Sequence, residues 1–111
     1  MYKLSAKRLQ MLEDENNTLY LSLAGIWEIQ LKIMLNKFIF PKPLPEIIRE
    51  QQQVNDLQIL SITPEHIYEL ENLPFHHKDP FDRLLIAQAI VEDFTLVTDD
   101  PKFSGYSVKL I

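Results

Sequence analysis

The sequence predicts a single α/β domain with a mainly parallel sheet. Short apolar runs bounded by turn residues alternate with longer segments of helical period, as in chains that return to a parallel sheet through helices. Two helix starts carry paired signals, a capping side chain followed at once by proline: Thr63-Pro64 and Asp79-Pro80. The length of 111 residues suits one domain with a modest core, and neither an internal repeat nor a domain linker interrupts it.

In chain order, Leu4, Ala6, Leu9 and Leu12 have approximate helical spacing behind Ser5, a candidate cap. Asn16-Asn17 marks a turn, and Thr18 to Ser22 reads as a short strand. Ala24 to Leu35 reads as a helix whose apolar residues, Ile26, Trp27, Ile29, Leu31, Ile33, Met34 and Leu35, cover more than one face. A helix so apolar is expected to be heavily buried, in a core or at a subunit contact. Pro41, Pro43 and Pro45 break the pattern, and a polar helix resumes from Glu46 to Val54. Leu57 to Ile62 reads as a strand, and a helix starts at Thr63-Pro64-Glu65-His66 and ends near Leu73-Pro74. A further helix runs from about Pro80 to Glu92. Thr95 to Thr98 and Ser107 to Ile111 are the last two strands.

Composition narrows the function classes. The net charge of −5 gives no overall basic footprint for nucleic acid, although a catalytic pocket with bound cations needs none. No segment approaches the ~20 apolar residues that span a bilayer, and the N-terminus lacks the pattern of a secretory signal. Zero cysteines exclude disulfides and thiolate metal sites and fit a reducing, cytoplasmic setting. No glycine-rich phosphate loop is present, which argues against a nucleotide-binding domain.

The candidate chemistry lies in carboxylates. In His76-His77-Lys78-Asp79-Pro80-Phe81-Asp82-Arg83-Leu84-Leu85-Ile86-Ala87-Gln88-Ala89, a polar loop meets an apolar helix. Asp79 can cap that helix, and Asp82 falls in its first turn, where the helix dipole favours negative charge. Glu28 sits in the apolar segment Ile26 to Leu31, where burial is costly unless the group is paired or bound to metal. The competing reading is an i,i+4 ion pair with Lys32 on a narrow exposed strip. Asp99 and Asp100 follow a short apolar strand, either as a turn before Pro101 or at the edge where open α/β sheets place ligands. Carboxylates gathered in one site repel unless a cation or protons compensate, and hard oxygen ligands suit Mg²⁺ or Mn²⁺. Adjacent His76 and His77 lack the i,i+4 geometry of a helical zinc pair. Trp27 and the phenylalanines read as core rather than as base-stacking platforms. Lys32, Lys78, Arg83 and Lys102 read either as solvated surface charges or as contacts to a phosphate backbone.

At these residues the chain resembles the PIN-domain family, and specifically the VapC-type toxin ribonucleases of type II toxin–antitoxin pairs. The resemblance rests on Tyr20-Leu21-Ser22 with Ile26-Trp27-Glu28-Ile29, on His77 to Ala89, and on Leu96-Val97-Thr98-Asp99-Asp100-Pro101-Lys102-Phe103. It runs in order over nearly the whole chain, and the central segment is its most specific part.

The resemblance implies a three-layer αβα sandwich and a Mg²⁺- or Mn²⁺-dependent endoribonuclease that hydrolyses RNA phosphodiester bonds. Glu28, Asp82 and Asp100 match the family's catalytic and metal-binding acids. Ser22 and Thr98 match supporting polar positions, with Asp79 and Asp99 as secondary candidates, and Lys32, Lys78 and Arg83 as candidate RNA contacts. A serine usual three residues after Ser22 is replaced by Gly25. The family's first, central strand, which ends in another acidic ligand, has no counterpart here, so residues 1–111 read as an N-terminally shortened domain. The implied partners are an RNA substrate, a cognate antitoxin and a second copy of the chain, since a missing central strand leaves a gap that another chain can fill. The alternative expectation is a catalytically inactive PIN scaffold that serves as a binding or oligomerisation module.

Overall fold

A computed structural model describes residues 17–74, 79–96 and 109–110. It shows an α/β chain with parallel strands that divides into two compact units, Glu15–Ser61 and the unit holding Ile62–Ile111. The helix expected near residues 4–12 lies outside the described residues.

In the first unit, β1 (Tyr20–Ser22) runs directly into α1 (Leu23–Met34), which is followed by α2 (Leu44–Asn55) and β2 (Gln58–Leu60). β1 and β2 pair in parallel with Tyr20 opposite Gln58, Leu21 opposite Ile59 and Ser22 opposite Leu60. The Gln58 N–H donates to Leu19 O at 2.9 Å and begins the ladder one residue earlier. The strand-to-helix switch is set by Ser22, whose Oγ accepts from the Ala24 N–H at 3.0 Å. A hydroxyl at this cap satisfies one of the donors that a helix start leaves over.

α2 begins two residues earlier than the proline pattern predicts. Pro45 falls in its first turn, where a missing N–H costs no helical bond, so it does not break the helix. Three helices of the described residues end at or shortly before a left-handed residue that is not glycine: Asn36 (φ 57°) follows α1, Asp56 (φ 52°) follows α2 and Asp93 (φ 56°) follows the helix Pro80–Glu92. Asn and Asp are the side chains that tolerate it best.

Of the two places expected for α1, a core or a subunit contact, the described residues do not supply the first. Only Ala24 of this helix is buried, while Trp27 is 57% exposed and Leu23 and Met34 are exposed as well. The described residues of this unit leave part of the helix's apolar surface uncovered. That surface lines an open groove of about 560 Å³ between α1 and α2, with Leu23, Ile26, Trp27, Leu44, Pro45 and Ile48 on its walls. Trp27 is therefore a groove residue and not a core residue.

Gly25 lies in the first turn of α1 without a positive φ, and a Cβ placed there would meet Leu21 Cδ1 at 3.4 Å, an ordinary contact. Gly25→Ala should therefore raise stability by about 0.5–1 kcal/mol through a less disordered unfolded chain. A thermal melt reads this directly, and a lowered midpoint would show that Leu21 does not yield.

The second unit contains α3 (Pro64–Glu69), a 3₁₀ turn (Leu70–Asn72), α4 (Pro80–Glu92), β3 (Thr95–Leu96) and β4 (Lys109–Leu110). The helix expected to run to Leu73 thus tightens into the 3₁₀ turn after one and a half turns. β3 and β4 pair in parallel, Thr95 opposite Lys109 and Leu96 opposite Leu110. Leu73, Ile86 and Ala87 form the core of this unit, with Leu70, Ile90 and Leu96 packed around them. Ile86 to Ala89 are four consecutive buried residues, so α4 is enclosed through its middle turn.

Candidate functional site

The first turn of α4 holds two of the predicted acids. Asp79 is the N-cap: its Oδ1 accepts from the Phe81 N–H at 2.9 Å and from the Asp82 N–H at 3.2 Å. Its carbonyl accepts from the Arg83 N–H at 3.0 Å, the first bond of the helical ladder. Pro80 occupies the first helical position, so the donor it lacks is one the helix would have left over anyway. Asp82 follows within the same turn, half-buried, and carboxylate oxygens of Asp79 and Asp82 approach within 4.8 Å. Two carboxylates this close repel in water-poor surroundings, and a cation or the N-terminal end of a helix offsets that repulsion. Their donors are hard oxygens, the set that suits a divalent cation such as Mg²⁺ or Mn²⁺.

Arg83, the next residue, points its guanidinium at backbone carbonyls: Nη1 donates to Pro74 O at 2.9 Å, and Nη2 approaches Leu70 O and Leu73 O at 3.4 and 3.5 Å.

In the other unit, Glu28 is half-buried on α1, and one of its oxygens lies 3.9 Å from Lys32 Nζ. The i,i+4 pair that stood as the competing reading of Glu28 is thus present. At this distance and exposure it contributes little stability. Lys32 Nζ also sits 5.2 Å from the centre of the Phe38 ring, a cation–π contact just after the helix. Ser22, a supporting candidate, is buried and acts as the cap of α1. Lys78, Thr98, Asp99 and Asp100, together with His76, His77 and Lys102, lie outside the described residues.

Sequence reasoning missed the most enclosed polar cluster among the described residues of the second unit. His66 is fully buried and Gln88 is 1% exposed. His66 stands at the third position of α3 and completes a reciprocal capping box: Thr63 Oγ1 accepts from the His66 N–H at 3.4 Å, and His66 Nδ1 accepts from the Thr63 N–H at 3.0 Å. On the far side of the ring, Nε2 meets Glu92 Oε1 at 2.8 Å, and Gln88 Nε2 lies 3.3 Å from Nδ1. Because Nδ1 receives a backbone N–H, the ring proton belongs on Nε2, where it is donated to Glu92. The signal in the sequence was the spacing Thr63-x-x-His66, a capping box with histidine in the place usually taken by Glu or Gln.

No curated protein and no solved structure matches the chain at a significant level. The PIN domain family signature matches residues 3–109, which includes both units and all three of Glu28, Asp82 and Asp100. With helices, parallel strands and a match over nearly its whole length, this chain belongs to the PIN-domain family.

Proposed function

We propose that this chain is a metal-dependent endoribonuclease of the VapC toxin type. PIN domains are generally nucleases and typically use divalent metal ions. The observation that supports the reading most strongly is the first turn of α4: Asp79 fixes that turn through two backbone N–H groups and leaves Asp82 beside it, a short distance from a second carboxylate. In this reading Glu28, Asp82 and Asp100 are the acids that hold Mg²⁺ or Mn²⁺, and Ser22 and Asp79 act through the backbone turns that they cap. The cation supplies charge neutralisation at the phosphate and activation of water. The protein's own task is to keep the acids ionised and in place, and to admit a single RNA strand. The substrate is RNA and the regulatory partner a cognate antitoxin. The test is RNA cleavage by the full chain with Mg²⁺ or Mn²⁺, compared with Asp82→Asn. Cleavage that needs the metal and vanishes in the variant supports the reading, and metal-independent cleavage, or none, overturns it.

A second reading, a non-catalytic binding or oligomerisation module, is favoured by one observation. The groove between α1 and α2 leaves Trp27 and Leu23 exposed beside Ile26 and Ile48, the type of apolar surface that marks association. In either reading we propose a homodimer or higher assembly. Trp27→Asp should shift the chain to monomer in light scattering, by removing an aromatic anchor of the kind that dominates interfaces. An unchanged mass would show that the groove takes no part in self-association.

A further inference from the structure

Arg83 follows Asp82 directly, and in the sequence its charge reads either as a solvated surface charge or as a phosphate contact. The structure directs that charge to the backbone. Pro74 O, Leu73 O and Leu70 O converge on one guanidinium at 2.9, 3.5 and 3.4 Å. These carbonyls lie at and just beyond the 3₁₀ turn Leu70–Asn72: Leu70 O already accepts from the Leu73 N–H at 3.3 Å and shares its second lone pair, while Leu73 O and Pro74 O lie past the end of the turn. A cation is also favoured at that end of a turn by its dipole. Arginine suits the position because its five N–H groups are held in a flat fork that can serve several acceptors at once, which an ammonium group cannot do in one plane.

The link differs in kind from the cap. Asp79 binds the N–H groups of its own helix, so the cap moves with the turn it stabilises. Arg83 ties that turn to a different segment of the chain. The same segment is fastened one turn further along α4, where Leu73 packs against Ile86 and Ala87. It is fastened again near the end of the helix, where His66 meets Gln88 and Glu92. Arg83 supplies an attachment next to Asp82 in the chain, and Leu73 supplies an apolar one a turn further along.

We propose that Arg83 is a positioning residue: its guanidinium, held on the carbonyls of Leu70, Leu73 and Pro74, fixes the first turn of α4 and with it the carboxylates of Asp79 and Asp82. This rests on the reading of Asp82 as a metal ligand set out above. A carboxylate held by a turn that can hinge meets a cation with the wrong distance for part of the time, and residues that orient ligands in this way typically contribute 10–100-fold to metal affinity or activity.

The test compares Arg83→Lys and Arg83→Gln with the unaltered full chain by three measurements: Mn²⁺ affinity by calorimetry, amide hydrogen exchange at Phe81 and Asp82, and the salt dependence of binding to a short poly(U) oligonucleotide in chelator. Both variants should bind Mn²⁺ about 10–100-fold more weakly. Both should exchange the Phe81 and Asp82 amides faster, and neither should change the salt slope. A residue that contacts phosphate gives the opposite pattern. Arg83→Gln would then lower the salt slope by about one charge while Arg83→Lys restores it, with Mn²⁺ affinity and exchange unchanged, and the proposal is overturned. It is also overturned if no measurement moves. Should the unaltered chain bind no Mn²⁺, the metal reading fails by itself, and exchange then decides the role of Arg83: faster exchange supports the clamp, and unchanged exchange overturns it. If Arg83→Gln does not fold, Arg83→Lys, which keeps the charge and one donor direction, decides the outcome.

Discussion

Asp82→Asn should remove divalent-metal binding and, with it, RNA cleavage, with little loss of fold. The substitution keeps the size of the side chain and leaves the Asp82 N–H on the Asp79 cap, so the local helix start survives. What changes is one negative charge and one hard oxygen ligand. An amide oxygen is a weaker donor to Mg²⁺ or Mn²⁺ than a carboxylate, and a directly bound ligand matters more than the 10–100-fold that its supporting neighbours contribute. A loss of more than about 100-fold in Mn²⁺ affinity is therefore expected in calorimetry. The thermal midpoint of the variant should stay close to that of the parent chain or rise, because two carboxylates within 4.8 Å of one another repel in the absence of metal. This sign is diagnostic. A midpoint that falls steeply would make Asp82 a structural group. An unaltered Mn²⁺ isotherm would remove Asp82 from the site, and with it the reading of the chain as a metal-dependent nuclease. Asp79→Asn separates the cap from the ligand: asparagine caps helices as well as aspartate, so a large fall in Mn²⁺ affinity there would assign Asp79 to the metal as well.

The legibility of the chain follows from how local each signal is. The start of α4 was readable to the residue because Asp79, Pro80 and Asp82 act through bonds within one turn, and the observed helix Pro80–Glu92 matches the expected span. Thr63-Pro64 marked α3 for the same reason. α2 was misread at its start, since Pro45 looks like a breaker until it is placed in a first turn, and which turn it occupies depends on where Leu44 is buried. The exposure of Trp27 was not legible at all. Apolar periodicity reports how much of a helix could be covered, and the amount of neighbouring surface decides how much is covered. The acids divide similarly. Asp79 and Asp82 share one turn and could be linked from sequence spacing. Glu28 and Asp82 stand in separate segments, so the joint role proposed for them came from the family resemblance and not from spacing. Gln88 was unreadable because it sits between Ala87 and Ala89 on an apolar helix, and its partner, His66, is supplied by a segment more than twenty residues away.

His66→Ala should be the most destabilising single change in the second unit, by about 3 kcal/mol or more. The ring is fully buried, so its removal opens a cavity of the kind that large-to-small changes leave behind. It also withdraws the ring's bonds from the Thr63 N–H and the Glu92 carboxylate, and one contact from the Gln88 side-chain amide. Each buried polar group left without a partner costs about 1–3 kcal/mol, and water entering the cavity recovers part of that for Glu92, which is only partly buried. Two conservative variants divide the ring's work. Asparagine places an oxygen near the position of Nδ1 and can still accept from Thr63, but it is too short for Glu92. Glutamine reaches toward Glu92 and gives up the bond to Thr63. Each should lose about half of what alanine loses, roughly 1–2 kcal/mol for one hydrogen bond to a backbone or charged partner. His66→Glu is the informative extreme. It restores the usual residue of a capping box at this position, yet it sets a second carboxylate against Glu92 in a buried site, and like charges in such a place are strongly unfavourable. Local capping preference thus favours glutamate and the packing of α3 on α4 favours histidine. If His66→Glu melts below His66→Ala, the contact to Glu92 is the stronger constraint, and the identity of this residue is set by the joining of the two helices rather than by the start of either one. If it melts at or above the parent chain, the capping box is what histidine was kept for, and the link between Nε2 and Glu92 adds nothing to stability.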